Sequence, residues 1–180
     1  MLAALAANWG FVLLRVVIAA SFGGVMTWWP NLTMTQLAWL FGAYALTDGV
    51  IALIIAIGVK GHEGFGSFLF DAIVRVVVGA VVFAAPAATA YRLVNVFAVW
   101  ALLCGAASIA VAIALRKDLS GEWPLPLAGL LSILCGVLAL SPVGVPDPGW
   151  VIGSYVWLFA LIVLSLALRL RQLAEEIRAS

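Results

Sequence analysis

The stretch LFDAIVRVVVGAVVF, residues 69–83, carries Asp71 and Arg75 four residues apart in a run that is otherwise apolar. On a helix that spacing puts carboxylate and guanidinium on one face. Two more ionisable residues interrupt similar runs: Arg15 in FVLLRVVIAA and Asp48 in YALTDGVIAL. A charge at the centre of a membrane helix costs about 2.5–3.5 kcal/mol on insertion scales. Four of them must therefore be paired or wetted. Paired, they form an ionic clasp that fixes helix register and the choice of neighbour. Wetted, a carboxylate among them can take up and release a proton, since intramembrane carboxylates mark proton paths. A cation beside a buried carboxylate favours its charged form, and burial alone favours the neutral one. Binding of a substrate by the same groups is the third chemistry open to them.

Other chemistry lacks its signatures. The chain has no GxSxG, no HExxH, no phosphate-binding P-loop and no GxGxxG followed by an acidic residue. Cys104 and Cys135 both lie in apolar runs, which argues against a disulfide framework and against a zinc site. His62 stands beside Glu63 in a polar loop and is read as solvated, with a pH-responsive contact as the other reading. The expectation is a non-enzymatic protein with no catalytic residues, no metal and no cofactor.

The elements that must position the charges are membrane helices. Of 180 residues, 66% are hydrophobic and 9% charged, where a soluble domain has about a quarter charged. The mean hydropathy is +1.23. A net charge of +1 argues against a nucleic-acid partner, which calls for a basic patch. The lipid bilayer is the expected partner, with a second copy of the chain or another membrane protein as the candidate protein partners. Six runs approach the roughly 20 apolar residues of a helical span: about 9–29, 34–58, 66–85, 92–115, 124–141 and 150–170. MLAALAANWG lacks the basic segment of a signal peptide, so the first run reads as a retained span.

Turn-like breaks separate the runs at Pro30-Asn31, Lys60 to Gly64, Pro86, Asp118 to Pro124 and Pro142 to Gly149. Thr33 with Gln36 reads as a capping box, and Asp147-Pro148 as an N-cap followed by proline at the first helical position. The sequon Asn31-Leu32-Thr33 is read as part of that cap rather than a glycan acceptor. Lys60, Arg116, Lys117, Arg169, Arg171 and Arg178 fall on one side of these spans and Arg92 on the other. The positive-inside rule then puts both termini in the cytoplasm. Trp9, Trp28, Trp29, Trp123 and Trp150 suit the interface belts, whereas Trp39, Trp100 and Trp157 are expected to pack within the bundle. The tail RLRQLAEEIRAS is expected to continue the last span as a polar helix.

The chain also repeats itself. A gap-free shift of 56 residues brings Gly23 onto Gly79, Pro30 onto Pro86, Phe41 onto Phe97, and YALTDG (44–49) onto WALLCG (100–105). A weaker third copy aligns Gly136, Pro142 and GSYVWLFA (153–160). The expected fold is an all-α integral membrane domain over residues 1–180. Its six transmembrane helices form three two-helix hairpins, about 9–60, 66–117 and 123–173. Hairpins of one orientation are related by rotation about the membrane normal, giving a pseudo-threefold bundle. A linear row of hairpins is the alternative arrangement. Small residues at three- and four-residue spacing include Gly23, Gly49, Gly79, Gly105 and Gly136. They are expected to let helices approach closely where lipid supplies no hydrophobic drive; a small-residue conduit is the other reading.

The repeat sets the height of the charges. Arg15 and Asp71 each stand fifteen residues before the outer prolines, and Asp48 stands fifteen after Thr33. All three then lie roughly 22 Å below the outer surface, with Arg75 one turn deeper. The third copy offers Ala128 and Phe159 at the corresponding positions, and Cys104 is the second copy's counterpart of Asp48. Asp71 is expected to pair with Arg75 and, across helices, with Arg15, while Asp48 completes a net-neutral cluster. Arg15 could instead snorkel to the boundary.

Taken together, NWGFVLLRVVIAASFGGVMTWWP (8–30), LFGAYALTDGVIALIIAI (40–57), WALLCGAASIAVAIALRKDLSGEW (100–123) and IGSYVWLFALIVLSLALRLRQL (152–173) resemble the HdeD-type acid-resistance membrane protein family over nearly the whole chain. Arg15, Trp29-Pro30, Tyr44, Asp48-Gly49 and Gly121-Glu122-Trp123 are the matching positions; the reading of Asp71 and Arg75 rests on the residues alone. The resemblance implies a six-span bacterial inner-membrane protein linked to acid stress at high cell density, with no cofactor. A scaffold or partner-binding protein of that type is the first functional expectation. A channel or transporter for protons or a small solute is the second.

Overall fold

The computed structural model describes residues 8–29, 31–62, 64–115, 124–141 and 147–179. They form seven helices: α1 (Trp9–Trp28), α2 (Met34–Gly58), α3 (Phe65–Ala84), α4 (Pro86–Ala90), α5 (Leu93–Leu115), α6 (Pro124–Ala139) and α7 (Pro148–Ala179). Five of these, α1, α2, α3, α5 and α7, contain stretches long and apolar enough to cross a membrane. The run expected at 124–141 forms the shorter α6, whose 16 residues span about 24 Å against a hydrocarbon core of about 30 Å. Pro30, Glu63, Arg116, Lys117, Gly121-Glu122-Trp123 and Pro142 lie outside the described residues.

Helix ends follow local chemistry. The Thr33 amide donates to Gln36 Oε1 at 2.9 Å and the Gln36 amide donates back to Thr33 Oγ1 at 3.3 Å, so two of the orphan donors at the start of α2 are satisfied. Asp147 Oδ1 accepts from the amides of Gly149 and Trp150 at 2.9 and 3.1 Å, with Pro148 at the first helical position of α7. Between α2 and α3 the chain reverses through Gly61 and Gly64, whose φ angles of 88° and 89° are open to glycine at little steric cost. Pro86 ends α3, because proline disfavours helix at the residue before it, and then opens the single turn of α4. The 32 residues of α7 extend about 48 Å, well beyond a hydrocarbon core. Its last turns carry an exposed Arg171–Glu175 pair, and Arg171 also lies 5.6 Å from the Trp9 ring of α1.

The six longer helices close into a ring in the order α1, α2, α3, α5, α6, α7, with α7 returning to α1. The most extensive interfaces are α2 with α3, α1 with α7 and α5 with α6. The neighbours within each sequence hairpin, α1–α2, α3–α5 and α6–α7, touch less. Chain connectivity therefore does not set the tightest packing; small residues do. A Cβ added to Gly49 of α2 would lie 2.6 Å from the Val76 amide nitrogen of α3. One added to Gly105 of α5 would lie 2.8 Å from the Gly129 carbonyl oxygen of α6.

Three glycines at equivalent repeat positions make equivalent contacts. Gly23 faces Gly153 and Trp157 of α7, Gly79 faces Ala45 and Leu46 of α2, and Gly136 faces Ala98 and Leu102 of α5. Leu46, Leu102 and Trp157 are themselves equivalent positions. Backbones meet at these points because no side chain stands between them.

The interior of the ring is filled by rings. Phe41 of α2 meets Phe97 and Trp100 of α5, with centroids 5.9 and 5.2 Å apart. Tyr155 of α7 meets Phe97 and Trp100 at 5.3 and 6.0 Å, and Tyr44 meets Trp100 at 6.2 Å. All five are fully buried. Trp39, expected inside the bundle, is instead 45% exposed and packs edge-on to Phe83. It lies on the opposite side of α2 from the buried Phe41–Tyr44 face.

Candidate functional site

Just beyond this aromatic layer, one turn along α2 from Tyr44, stands Asp48. Its carboxylate is fully buried and engaged at both oxygens. Arg15 of α1 donates through Nε to Oδ1 at 2.5 Å and through Nη2 to Oδ2 at 3.1 Å. Arg75 of α3 donates through Nη1 to Oδ2 at 2.6 Å, and through Nε to Asp71 Oδ2, one turn back on its own helix, at 2.9 Å. Four charges on three helices thus form one chain of contacts: Arg15, Asp48, Arg75, Asp71. Its formal charge is zero. Charge-assisted hydrogen bonds of this kind offset the desolvation that would otherwise make burial prohibitive.

The cross-helix pairing differs from the expected one. Arg15 pairs with Asp48, and among the described residues Asp71 pairs with Arg75 alone. Ring order is the reason: the neighbours of α1 are α2 and α7, whereas α3 lies on the far side of α2. Asp48 is therefore the centre of the cluster and not its completing member.

Arg75 is also the residue that ties the site to the rest of the bundle. Its guanidinium carbon lies 5.6 Å from the Trp100 ring of α5 and 5.5 Å from the Phe159 ring of α7. With Asp48 it thereby reaches all three helices that fill the ring's interior. Arg15 lies 5.8 Å from Phe159. Phe159 holds the position equivalent to Asp48 in the third copy, so an aromatic face replaces a carboxylate there and still attracts both cations. Cys104, the second counterpart, is fully buried in the same layer.

The two ends of the cluster are less enclosed than its middle. Side-chain exposure is 14% for Arg15 and 12% for Asp71, against 0% for Asp48 and 1% for Arg75. Asp71 Oδ1 is buried and without a hydrogen-bond partner among the described residues, as are Tyr44 Oη, Trp100 Nε1 and Trp157 Nε1. Tyr155, the counterpart of Tyr44, does have a partner: its hydroxyl lies 2.8 Å from Ser132 Oγ. The position equivalent to Ser132 on α1 is Ala19, and on α3 it is Arg75. Among the described residues no three His, Cys, Asp or Glu side chains gather as a metal-ligand set.

Several participants did not stand out in the sequence. The repeat alignment places Tyr44, Trp100 and Tyr155 at one position, and that coincidence of large aromatics was the available signal for the filled interior. Phe159 and Trp100 as faces for guanidinium groups had no signal, because an aromatic in a membrane span is ordinary. Gly129 and Gly153, which meet Gly105 and Gly23, belong with the packing glycines and were not among those named from the sequence.

The family model for a short repeat of unknown function, DUF308, matches twice, over residues 14–82 and 70–141. The chain belongs to the DUF308 family. The starts of the two DUF308 matches are offset by the same 56 residues that carry Gly23 onto Gly79. Each match runs across three helices of the ring, and residues 70–82 of α3 fall in both, so Asp71 and Arg75 lie where the two copies overlap. No curated protein and no solved structure matches the chain. With five long apolar helices and an internal DUF308 repeat, it is a multi-pass membrane protein.

Proposed function

We propose that this DUF308 protein is a non-enzymatic scaffold or partner-binding protein of the bacterial inner membrane, of the acid-stress-resistance type. It crosses the membrane six times with both termini in the cytoplasm, and its three hairpins surround a pseudo-threefold axis. The residues quoted above as resembling the HdeD-type family support the acid-stress assignment. Lys60, Arg169 and Arg171 against Arg92 support the orientation. Equivalent contacts of Gly23, Gly79 and Gly136 support the axis.

The observation that carries the scaffold reading is the filled interior. Phe41, Phe97, Tyr44, Trp100 and Tyr155 occupy the middle of the ring, and Arg75 sits against Trp100 and Phe159 just below them. An interior of this kind favours rigidity over passage. The ionic cluster then fixes which helices are neighbours, with protonation as its means of responding to acid.

Acid survival tests the reading. A bacterial strain lacking the protein should survive acid exposure less well, and the wild-type chain should restore it. Equal survival of the two strains would remove the acid-stress assignment. The second reading is a pathway for protons or a small solute, and the unpartnered Asp71 Oδ1 at the cluster's edge favours it. Reconstituted liposomes decide between them. Scaffold function predicts no acid-driven flux above empty vesicles, whereas flux abolished by Asp71→Asn would transfer the function to conduction.

A further inference from the structure

We infer that Asp71 Oδ1 is the site at which the buried cluster binds a proton, and that Asp48 is a fixed counter-ion. The inference rests on the reading that the cluster responds to protonation, and it assigns that response to one atom. Three donor contacts occupy the Asp48 carboxylate, from two arginines, and both its oxygens are used. A proton arriving there would have to displace a guanidinium. Asp71 uses only Oδ2, toward Arg75 Nε. Its Oδ1 has no partner among the described residues, so a proton can be added there while the bond from Arg75 to Oδ2 stays in place.

Position and burial agree with this assignment. Asp71 is six residues from the start of α3, roughly 9 Å along the axis, and its side chain is 12% exposed where that of Asp48 is 0% exposed. The charged and titratable groups around it are few. Arg75 on α3 contacts it directly. From α2 come Asp48, itself held by Arg75, and Tyr44. From α5 comes Cys104, and α4 contributes none. Arg15 of α1 stands beyond Asp48. The step is a transfer from hydronium to carboxylate, leaving water and a neutral carboxyl, and it changes the cluster from net zero to one positive charge. Arg75 then has Asp48 as its one remaining anionic partner.

Infrared difference spectroscopy on the full chain in lipid nanodiscs, between neutral and acidic pH, tests the assignment through the carbonyl stretch of protonated carboxyl groups. Surface carboxyls contribute alike in every variant, so the readout is wild type minus variant. One carboxyl's share of the band should vanish in Asp71→Asn, move in frequency in Asp71→Glu and stay in place in Asp48→Glu. Asn keeps an oxygen for Arg75, and Glu keeps the charge, so one of the two Asp71 variants remains informative if the other fails to fold. A component that moves in Asp48→Glu and is untouched by the Asp71 variants overturns the assignment while leaving a protonatable cluster. Spectra identical for wild type and all variants overturn both.

Discussion

Arg75 on α3 donates to Asp48 on α2 at 2.6 Å, which joins helices from different sequence hairpins at the most extensive interface of the bundle. Arg15 reaches the same carboxylate from the opposite side. Among the described residues Asp48 is thus the one anion shared by two cations, and it holds α1, α2 and α3 in one order around the ring.

Asp48→Asn should be the most damaging single change in the cluster. It leaves Arg15 and Arg75 facing each other across a neutral amide, and breaking a buried pair by removing one partner costs about 3–5 kcal/mol. Asp71→Asn should cost less, since Arg75 keeps Asp48. In a double-mutant cycle, Arg15→Gln should couple with Asp48→Asn and not with Asp71→Asn. Unfolding in mixed micelles of the three single variants and the two double variants measures these couplings. Coupling of Arg15 to Asp71 would contradict the pairing. By contrast, Glu175→Gln should change stability by less than about 0.5 kcal/mol, because the Arg171–Glu175 pair is solvent-exposed.

The glycine interfaces make a second prediction. Gly49→Leu and Gly105→Leu would drive a side chain into the backbone of α3 or α6 and should cost about 1–3 kcal/mol or more. Gly10→Ala is the control: nothing lies within 4 Å of the added Cβ. In a helix the change should be neutral or favourable by up to about 1 kcal/mol. Equal losses at all three positions would point to a general intolerance of helix substitution and not to close approach.

How much of this was legible beforehand depends on what each feature needs. Helix runs, the Thr33 and Asp147 caps and the 56-residue period are local or linear properties, and they could be read from spacing. So could the i, i+4 bond of Asp71 with Arg75, because one helix geometry fixes it. Ring order could not be read. In a soluble bundle the polar face of each helix marks its outside, but here the lipid-facing side, with Leu14, Val17, Val77 and Leu130 exposed, is as apolar as the core. Sequence therefore placed Arg15 and Asp71 at one height without revealing that α2 stands between them. The same blindness put Trp39 inside.

Tyr44 and Tyr155 offer a natural comparison at equivalent positions. Ser132 serves the Tyr155 hydroxyl at 2.8 Å, while Ala19 stands where that serine would serve Tyr44. Tyr155→Phe should then cost about 1 kcal/mol, the net value of a typical hydrogen bond, and Tyr44→Phe should be neutral or stabilising. Ala19→Ser should raise stability by about 0.5–1.5 kcal/mol by giving Tyr44 its missing partner. If Tyr44→Phe costs as much as Tyr155→Phe, the Tyr44 hydroxyl is already satisfied and the comparison fails.

Arg75→Lys is the sharpest test of the cluster's geometry because it keeps the charge. An ammonium is a compact point charge, whereas a guanidinium is a planar fork. Arg75 uses Nε toward Asp71 and Nη1 toward Asp48, and its guanidinium carbon lies 5.6 Å from the Trp100 ring and 5.5 Å from the Phe159 ring. Lysine can follow one carboxylate but cannot reproduce both bonds while its charge stays close to both rings. The loss should amount to at least one charge-assisted hydrogen bond, about 1.5–3 kcal/mol. Arg15→Lys should cost less, since Arg15 serves a single carboxylate and stands partly exposed at the cluster's edge. Equal costs for the two lysine variants would mean that charge alone, and not the shape of the guanidinium, holds the helices together.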